Sequence, residues 1–244
     1  MRIAVTRLKG KGDEDVARCA KYGHECYSVS PLAAELHYDL IRKFAESVNR
    51  GEFDCLFFTS ALPASYIGPL LRSWPRIISI GPQTAKVLGR FGIESEVLPA
   101  FYSRDFVPYL GEWIKGRRIG IPRADVPNPD LLDAITRSGG YAEEYRCYSL
   151  VPTGEALRLQ GADAILFTSA QSFKTAIWEQ PPDLLIMAIG EITASVMREG
   201  GVTPVVVGDG SLEGTLRKMN QVFVRMKMKE SEHGLMNNGK MCNE

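Results

Sequence analysis

Two stretches of this sequence match each other: FDCLFFTSA at residues 53–61 and ADAILFTSA at residues 162–170. Both begin with an apolar run and end in Thr-Ser-Ala. A second pair, IGPQTA at 80–85 and IGEITA at 189–194, lies at the same offset of 109 residues (from 53 to 162 and from 80 to 189). Repeated matches at one offset predict an internal duplication.

The opening strand is repeated as well, as RIAVTR at 2–7 and RIGIPR at 118–123. The repeating unit is therefore roughly 110 to 120 residues long, and the chain holds two copies of it. Two copies are too few for a solenoid. The sequence predicts a protein with two similar lobes.

Short apolar runs that alternate with helical patterns predict buried parallel strands. They fall at 2–6, 53–58, 76–80, 93–97, 118–121, 163–167, 184–189 and 203–207, with two more polar candidates at 25–29 and 142–147. Helices are indicated by an apolar face from Leu36 to Val48, by Ser103 as an N-cap, and by the capping pair Asn128-Pro129. This alternation is typical of α/β folds with parallel sheets and right-handed crossovers.

Composition narrows the class of protein. The 244 residues include 29 Lys and Arg against 29 Asp and Glu, so a general nucleic-acid binder is not expected. No apolar run approaches the ~18 residues that span a bilayer, and the first residues are charged too early for a signal peptide. The five cysteines are scattered without a C-x-x-C pair, so we expect neither disulfides nor a zinc site, and a reducing cytoplasm is the expected setting. The Lys-, Glu- and Asn-rich residues 226–244 predict a disordered end.

Hydroxyl side chains follow one strand in each copy of the repeat. Ser60 and Ser169 stand where a buried strand ends and a helix begins, which is the edge of a parallel sheet where ligands bind. Each serine could contact a ligand directly, or it could act only as a helix N-cap. The two roles are compatible, because a helix start also offers unpaired N–H groups.

A glycine turn with a threonine follows another strand in each copy. Gly81 precedes Thr84, and Gly190 precedes Thr193, so both threonines should lie in the first turn of a helix. Such a turn favours anions. The alternative is a tight strand-to-helix turn without a ligand. Neither a P-loop nor a dinucleotide fingerprint is present.

Two arginines and two tyrosines complete the candidate residues. Arg7 and Arg123 follow matching strands and could bind carboxylate or phosphate, although each could equally pair with a neighbouring Asp or Glu. Tyr145 and Tyr148 could donate a proton, or they could only pack and form buried hydrogen bonds. Taken alone, these residues predict a site for a small anionic molecule between two α/β lobes.

In order and spacing, these motifs resemble the uroporphyrinogen-III synthase family over about residues 1–220. The resemblance rests on the opening strand with Arg7, the paired Phe-Thr-Ser and Ile-Gly-x-x-Thr-Ala segments, and the stretch from Gly139 to Tyr148. It implies a cyclising hydro-lyase. That enzyme takes hydroxymethylbilane, a linear tetrapyrrole with eight carboxylates, expels water, inverts ring D and closes uroporphyrinogen III. It uses no metal and no organic cofactor.

The same resemblance implies an architecture. One lobe would comprise residues 1–30 plus 150–225 and the other 33–147, joined by a two-stranded linker with the active site in the cleft between them. Lobes on such a linker are expected to open and close. We further expect no nucleic-acid or membrane partner and a monomer, because no heptad or long apolar edge is evident.

The resemblance also assigns roles. It places the cleft threonines at Thr84 and Thr193, the returning-strand tyrosine at Tyr148, and the strand-end hydroxyls at Ser60 and Ser169. Tyr148 would assist departure of the hydroxyl group as a general acid or hydrogen-bond donor.

One position departs from the family pattern. Where the first turn has Gly81-Pro82, the second has Gly190-Glu191, which places a carboxylate beside a site for a polycarboxylate. Either Glu191 points away, or its turn contributes less to binding. A non-catalytic protein that binds an anionic, tetrapyrrole-like ligand is therefore the alternative function. A nucleotide- or phosphosugar-binding enzyme is disfavoured by the missing phosphate loops.

Overall fold

The chain folds as two units, each of which combines a sheet with helices. The structure, a computed structural model, describes residues 1–100 and 102–222. Unit 1 comprises Met1–Ala33 and the chain from Val151 onward, and unit 2 is Ala34–Leu150. The chain therefore passes from one unit to the other twice. The disordered end expected at 226–244 lies outside the described residues.

The strands and helices alternate along most of the chain. In the described residues the strands are β1 (Arg2–Leu8), β2 (Glu25–Leu36), β3 (Cys55–Phe58), β4 (Arg76–Ser79), β5 (Glu96–Val97), β6 (Arg118–Ala124), β7 (Tyr141–Pro152), β8 (Ala164–Phe167), β9 (Leu185–Ala188) and β10 (Val206–Val207). The helices are α1 (Asp13–Ala20), α2 (Tyr38–Asn49), α3 (Ala61–Ile67), α4 (Pro82–Gly89), α5 (Phe106–Leu110), α6 (Pro129–Arg137), α7 (Ala170–Thr175) and α8 (Glu191–Glu199). Short 3-10 helices occur at Gly68–Leu70, Ser103–Asp105 and Gly111–Ile114, and 212–222 are also helical.

In unit 1 the strands lie in the order β10-β9-β8-β1-β2, and neighbouring strands are parallel. An interior strand, β1, buries Ile3 and Val5 in one hydrophobic cluster and Ala4 in another. Because successive side chains of a strand point to opposite faces, both faces of the sheet are covered. This is why β1 reads as a continuous apolar run.

In unit 2 the strands lie in the order β7-β6-β3-β4-β5, again with parallel neighbours. When the matching sequence segments are aligned, β6 takes the place of β1 and β3 takes the place of β8. The two sheets then have the same strand order. The α/β class with parallel sheets that the sequence predicts is confirmed.

An aromatic cluster attaches α2 to the sheet of unit 2. Phe44, on α2, stacks on Phe53 with ring centroids 5.7 Å apart and meets the edge of Tyr145 at 5.0 Å. Gly120 lies beneath: a Cβ added there would be 2.9 Å from Phe44 Cε2. The glycine therefore lets the helix approach the strand closely.

Several boundaries differ from the sequence prediction. β2 and β7 are each 12 residues long, whereas the sequence predicts only 25–29 and 142–147. Their mixed polarity hides the strand pattern, but backbone hydrogen bonds extend it. In unit 1 the Thr153 N–H donates to the Pro31 carbonyl at 3.0 Å, and in unit 2 the His37 N–H donates to the Cys147 carbonyl at 2.8 Å.

The two predicted N-caps have different outcomes. Asn128 caps α6, because its side chain accepts a hydrogen bond from the Leu131 N–H at 3.3 Å, as predicted. The prediction that Ser103 caps a helix is wrong. Ser103 lies inside a 3-10 turn, and its hydroxyl accepts a hydrogen bond from Asn128 Nδ2 at 3.3 Å. The chain turns one residue earlier than the sequence signal indicates.

Replacing Phe44 with alanine should lower the free energy of unfolding by about 3–5 kcal/mol, because it empties a fully buried aromatic site. Urea denaturation followed by circular dichroism would measure the change. Tyr38→Ala on the same helix, at a side chain 55% exposed, is the matched control and should cost under about 1 kcal/mol. Equal losses from the two variants would contradict this account of how α2 is attached.

Candidate functional site

The strand order of each unit determines where a ligand would bind. In unit 1, β1 has β2 on one side and β8 on the other, so the chain changes direction between β1 and β8. In unit 2 the equivalent point lies between β6 and β3. Open parallel sheets bind ligands at the carboxyl ends of the strands beside such a point. Ser60 follows β3 and Ser169 follows β8, so both serines occupy this kind of edge.

Unit 2 brings Ser60 and Tyr148 together. The Ser60 Oγ and the Tyr148 Oη lie 3.2 Å apart and share a hydrogen bond. Ser60 occupies the N-cap position of α3, but its side chain makes no capping hydrogen bond. Tyr148 is 7% exposed. The serine hydroxyl is therefore hydrogen-bonded to the phenol and does not cap the helix.

The environment of Tyr148 keeps its phenol protonated. Burial raises the pKa of Tyr148 above its usual range, while the Ser60 hydrogen bond and the positive charge of Arg123 lower it in part. The net direction is upward. Tyr148 is therefore a neutral hydrogen-bond donor at physiological pH. The preceding residue, Cys147, is fully buried, and burial raises the pKa of its thiol to about 12.

Unit 1 uses the matching serine differently. Ser169 caps α7: its Oγ accepts a hydrogen bond from the Ser172 N–H at 3.0 Å. The preceding residue, Thr168, is joined to Thr6 of β1, because the Thr168 N–H donates to Thr6 Oγ1 at 2.9 Å and Thr168 Oγ1 donates to the Thr6 carbonyl at 2.5 Å. These bonds hold together the ends of β1 and β8.

The two glycine turns have the same geometry. Gly81 and Gly190 are the N-cap residues of α4 and α8, both in an extended backbone conformation. Thr84 and Thr193 occupy the third helical position and are 3% and 4% exposed, so the sequence-predicted first-turn placement holds for both. First-turn positions of this kind, with a hydroxyl and a helix start, are suited to anions.

Glu191, the residue that departs from the family pattern, forms an ion pair in the structure. Its carboxylate accepts a hydrogen bond from Arg198 Nη1 at 2.6 Å, within the same helix. The pairing offsets the negative charge beside the turn. Because Glu191 is highly exposed, this ion pair contributes little to the stability of the fold, but it still reduces the negative charge that the turn presents.

Both candidate arginines are paired with acidic residues in the structure. Arg7 donates to both carboxylate oxygens of Asp15, from Nε at 2.6 Å and from Nη2 at 3.1 Å. Arg123 donates from Nη1 to Glu144 Oε1 at 2.5 Å, and its Nη2 donates to the Val126 carbonyl. This favours the internal pairing that the sequence left open. These bonds do not use all the N–H donors of either side chain, because each guanidinium has five N–H groups.

The acidic partners were not predicted from the sequence. Asp15 stands eight residues after Arg7 in the first turn of α1, and it is 3% exposed. An aspartate eight residues after a strand-end arginine is a signal that the sequence does contain. By contrast, the bonds of Thr6 with Thr168 and of Ser60 with Tyr148 join residues far apart in the chain. No local sequence pattern predicts these two hydrogen-bonded contacts.

Together, these features describe an α/β protein whose sheet edges present hydroxyls, helix starts and one buried phenol. Strand ends and helix starts of this kind are suited to binding small anions. Comparison with known proteins defines the class further. The family model described as "Uroporphyrinogen-III synthase HemD" matches residues 13–209. The chain belongs to the uroporphyrinogen-III synthase family.

Individual proteins agree with this membership. A protein of Methanothermobacter thermautotrophicus named "Putative uroporphyrinogen-III synthase" is 27% identical over 232 residues, covering 83% of this chain and 91% of that protein. Two solved structures share the fold. Uroporphyrinogen-III synthetase from Helicobacter pylori 26695 has a TM-score of 0.63 at 15% identity, covering 91% of this chain and 100% of that one. A mutant uroporphyrinogen III synthase from the extremely thermophilic bacterium Thermus thermophilus has a TM-score of 0.52 at 20% identity, covering 94% and 99%.

In the described part of the chain, no helix combines the length and the apolar character that a membrane-spanning helix requires.

Tyr148 should ionise at a higher pH than free tyrosine, whose pKa is about 10. Because the folded state disfavours the ionised phenol, this group stabilises the fold below that pH, and the contribution is lost as the pH rises through the folded pKa. Ultraviolet difference titration, with Tyr148→Phe subtracted, would isolate the transition. Ser60→Ala should move it to still higher pH, because the serine hydrogen bond lowers the pKa. A shift to lower pH would contradict the assignment.

Ser169→Ala should lower the free energy of unfolding by about 1 kcal/mol, because the first turn of α7 loses its cap. Chemical denaturation would measure it. Ser169→Gly is the matched control and should cost only a few tenths of a kcal/mol, since glycine is tolerated at N-caps. If glycine proved as costly as alanine, the capping role would be wrong.

Proposed function

We propose that this chain catalyses the cyclisation of hydroxymethylbilane to uroporphyrinogen III, with loss of water and inversion of ring D. Family membership supports the reaction class. The observation that carries the proposal is the hydrogen-bonded pair of Tyr148 and Ser60, at the carboxyl edge of the unit 2 sheet. It supplies one neutral donor where a leaving hydroxyl needs one.

The first step is departure of the hydroxyl group. The C–O bond of the hydroxymethyl carbon breaks and the nitrogen of the same pyrrole ring loses its proton. The departing hydroxyl gains one proton, so water leaves and a neutral, electrophilic azafulvene remains. Tyr148 donates a hydrogen bond to the departing oxygen. Its raised pKa favours this role over full proton transfer, because a phenolate would be costly in so buried a place.

Ring closure is mainly a matter of conformation. In unassisted closure the unsubstituted α-carbon of ring D attacks the azafulvene and then loses its proton, which gives the symmetric isomer I. Inversion requires attack by the substituted α-carbon of ring D, which forms a spiro intermediate. The bond from that carbon to its original methylene bridge then breaks and re-forms at the other α-carbon, which loses the proton. Enzymatic closure requires the substrate to be held so that ring D inverts. We assign this work to the helix starts that carry Thr84 and Thr193, with Gly81 and Gly190 allowing close backbone approach.

The serine and arginine positions have supporting roles. Ser60 acts through its bond to Tyr148, and Ser169 offers its hydroxyl to a carboxylate beside the capped start of α7. Arg7 and Arg123 bind carboxylate arms with guanidinium N–H groups beyond those they give to Asp15 and Glu144. Their internal pairs would orient them and would reduce the net charge that they present.

We also propose that units 1 and 2 are two lobes produced by an internal duplication. Their common strand order supports this, as do the sequence matches. The chain crosses between units within β2, after Ala33, and within β7, after Leu150, which supports a two-stranded linker. Substrate would be bound by residues of both lobes, with no cofactor. Glu191 slightly favours the non-catalytic alternative, a binding protein with the same two lobes, and the pairing of Glu191 with Arg198 weakens that support.

The test is incubation of the purified protein with freshly generated hydroxymethylbilane, followed by oxidation and chromatographic separation of the porphyrin isomers. We expect isomer III in excess of spontaneous isomer I. Tyr148→Phe should reduce the rate of isomer III formation by about 100-fold, the lower end of the loss when one hydrogen-bond donor to a developing negative charge is removed. Tyr145→Phe makes the same change at a buried tyrosine of the same strand, and it should leave the rate within about twofold.

Two outcomes would contradict the proposal at different levels. If folded wild-type protein gave only isomer I at the spontaneous rate, the chain would not be the cyclising enzyme, and the ligand-binding alternative would take its place. If isomer III formed but Tyr148→Phe matched the wild type, the reaction would stand and the role of Tyr148 would be wrong.

A further inference from the structure

Unit 1 contains a groove of about 480 Å³ that none of the proposed substrate residues lines. It runs between the first half of β2, at Tyr27 to Ser30, and the chain segment 155–160. A volume of this size is within the range of small-molecule sites. The two units differ at this place.

The groove exists because unit 1 lacks a counterpart of α2. In unit 2 the connection from β2 to β3 covers 37–54 and contains α2. In unit 1 the matching connection, from β7 to β8, covers only 153–163 and contains no helix. Its one regular feature is an isolated parallel bridge between Ala156 and Ile177. An extended segment covers less of a sheet than a helix does.

The register of the strands identifies what fills this place in unit 2. Tyr27 and Val29 of β2 are opposite Ala4 and Thr6 of β1, just as Glu143 and Tyr145 of β7 are opposite the matching residues of β6. In unit 2 the position matching Val29 is Tyr145, which Phe44 and Phe53 cover. In unit 1 the smaller Val29 packs with Leu159 and Leu157 instead, and the groove opens beside it.

Positive charge surrounds the opening. Arg2, Lys9 and Arg158 line the groove, against one acidic residue, Glu155, which Lys9 pairs with at 2.7 Å. Tyr27 connects two of these basic residues. The Arg2 guanidinium lies over its ring at 4.9 Å from the centroid, and its hydroxyl donates to the Arg158 carbonyl at 2.8 Å. One guanidinium therefore lies on the tyrosine ring, and Arg158 is fixed to the same tyrosine through its backbone.

We propose that this groove binds a small organic anion with a flat apolar body and at least one carboxylate. The Tyr27 ring, Val29 and Leu157 would contact the body, and Arg158 and Arg2 would bind the carboxylate. Glu155 opposes binding, because it occupies Lys9 and repels an anion. The proposal concerns a second site, so it does not depend on the cyclisation reaction.

The experiment is a titration with 1-naphthoate, monitored by backbone amide signals in two-dimensional nuclear magnetic resonance at low ionic strength. We expect saturable shifts at Tyr27, Leu157 and Arg158. Arg158→Gln should raise the dissociation constant about threefold, since exposed charge pairs contribute modestly, and added salt should raise it further. Glu155→Gln should lower the dissociation constant, because it frees Lys9.

The control is Arg72→Gln with Arg90→Gln, which removes two positive charges from exposed positions in unit 2 and should leave the dissociation constant unchanged. Two results would overturn the proposal. One is that saturable shifts at the groove are absent. The other is that Arg158→Gln and Glu155→Gln have no effect, or change affinity in the same direction. Turnover of hydroxymethylbilane plays no part in the readout, so failure here is distinguishable from failure of the proposed enzyme.

Discussion

The parallel pairing of β1 with β8 and of β6 with β3 determines where the proposed site residues lie. Parallel strands end together at one edge, and the backbone groups released there must find new partners. In unit 1 the hydroxyls of Thr6, Thr168 and Ser169 supply such partners. In unit 2 the Ser60 hydroxyl bonds to Tyr148 instead. The chemistry that we assign to the chain depends on these groups, so the site is a consequence of how the sheets end.

The matching strand ends have been put to different uses. After β8, Ser169 caps α7, and Thr168 is bound to Thr6. After β3, Ser60 leaves α3 without a side-chain cap and bonds to Tyr148. One serine therefore contributes to local stability, whereas the other is available to a phenol. If the units arose by duplication, the two copies have diverged in the partners of their side chains while the backbone pattern has stayed the same.

Much of the fold could be predicted because its signals are local. Buried parallel strands such as β3 and β8 appear as short apolar runs, and Asn128-Pro129 marks the start of α6. The full lengths of β2 and β7 could not be predicted, since half-buried strands of mixed polarity lack a clear period. Ser103 failed as a cap because its hydroxyl is bonded to Asn128, from a distant part of the chain.

The site was predictable in its residue types but not in its partners. The repeated glycine turns indicated Thr84 and Thr193 as candidates, whereas Tyr148 was singled out by the family resemblance. The contact of Tyr148 with Ser60 and the pairing of Arg123 with Glu144 required the three-dimensional structure. Side chains that join residues dozens of positions apart leave no periodic trace in a sequence. The groove of unit 1 was not predicted either. It lies where the connection from β7 to β8 lacks a helix.

The protonation state of Cys147 bears on the survival of the enzyme during turnover. The proposed reaction releases a strong carbon electrophile close to Tyr148, and a thiolate is the side chain that such an electrophile alkylates most readily. Burial raises the pKa of the neighbouring Cys147 thiol to about 12, so the sulfur stays protonated and weakly nucleophilic. The hydrophobic interior of unit 2 would thereby protect the enzyme from alkylation by its own intermediate. Cys147 would then not compete with the pyrrole carbon for the azafulvene.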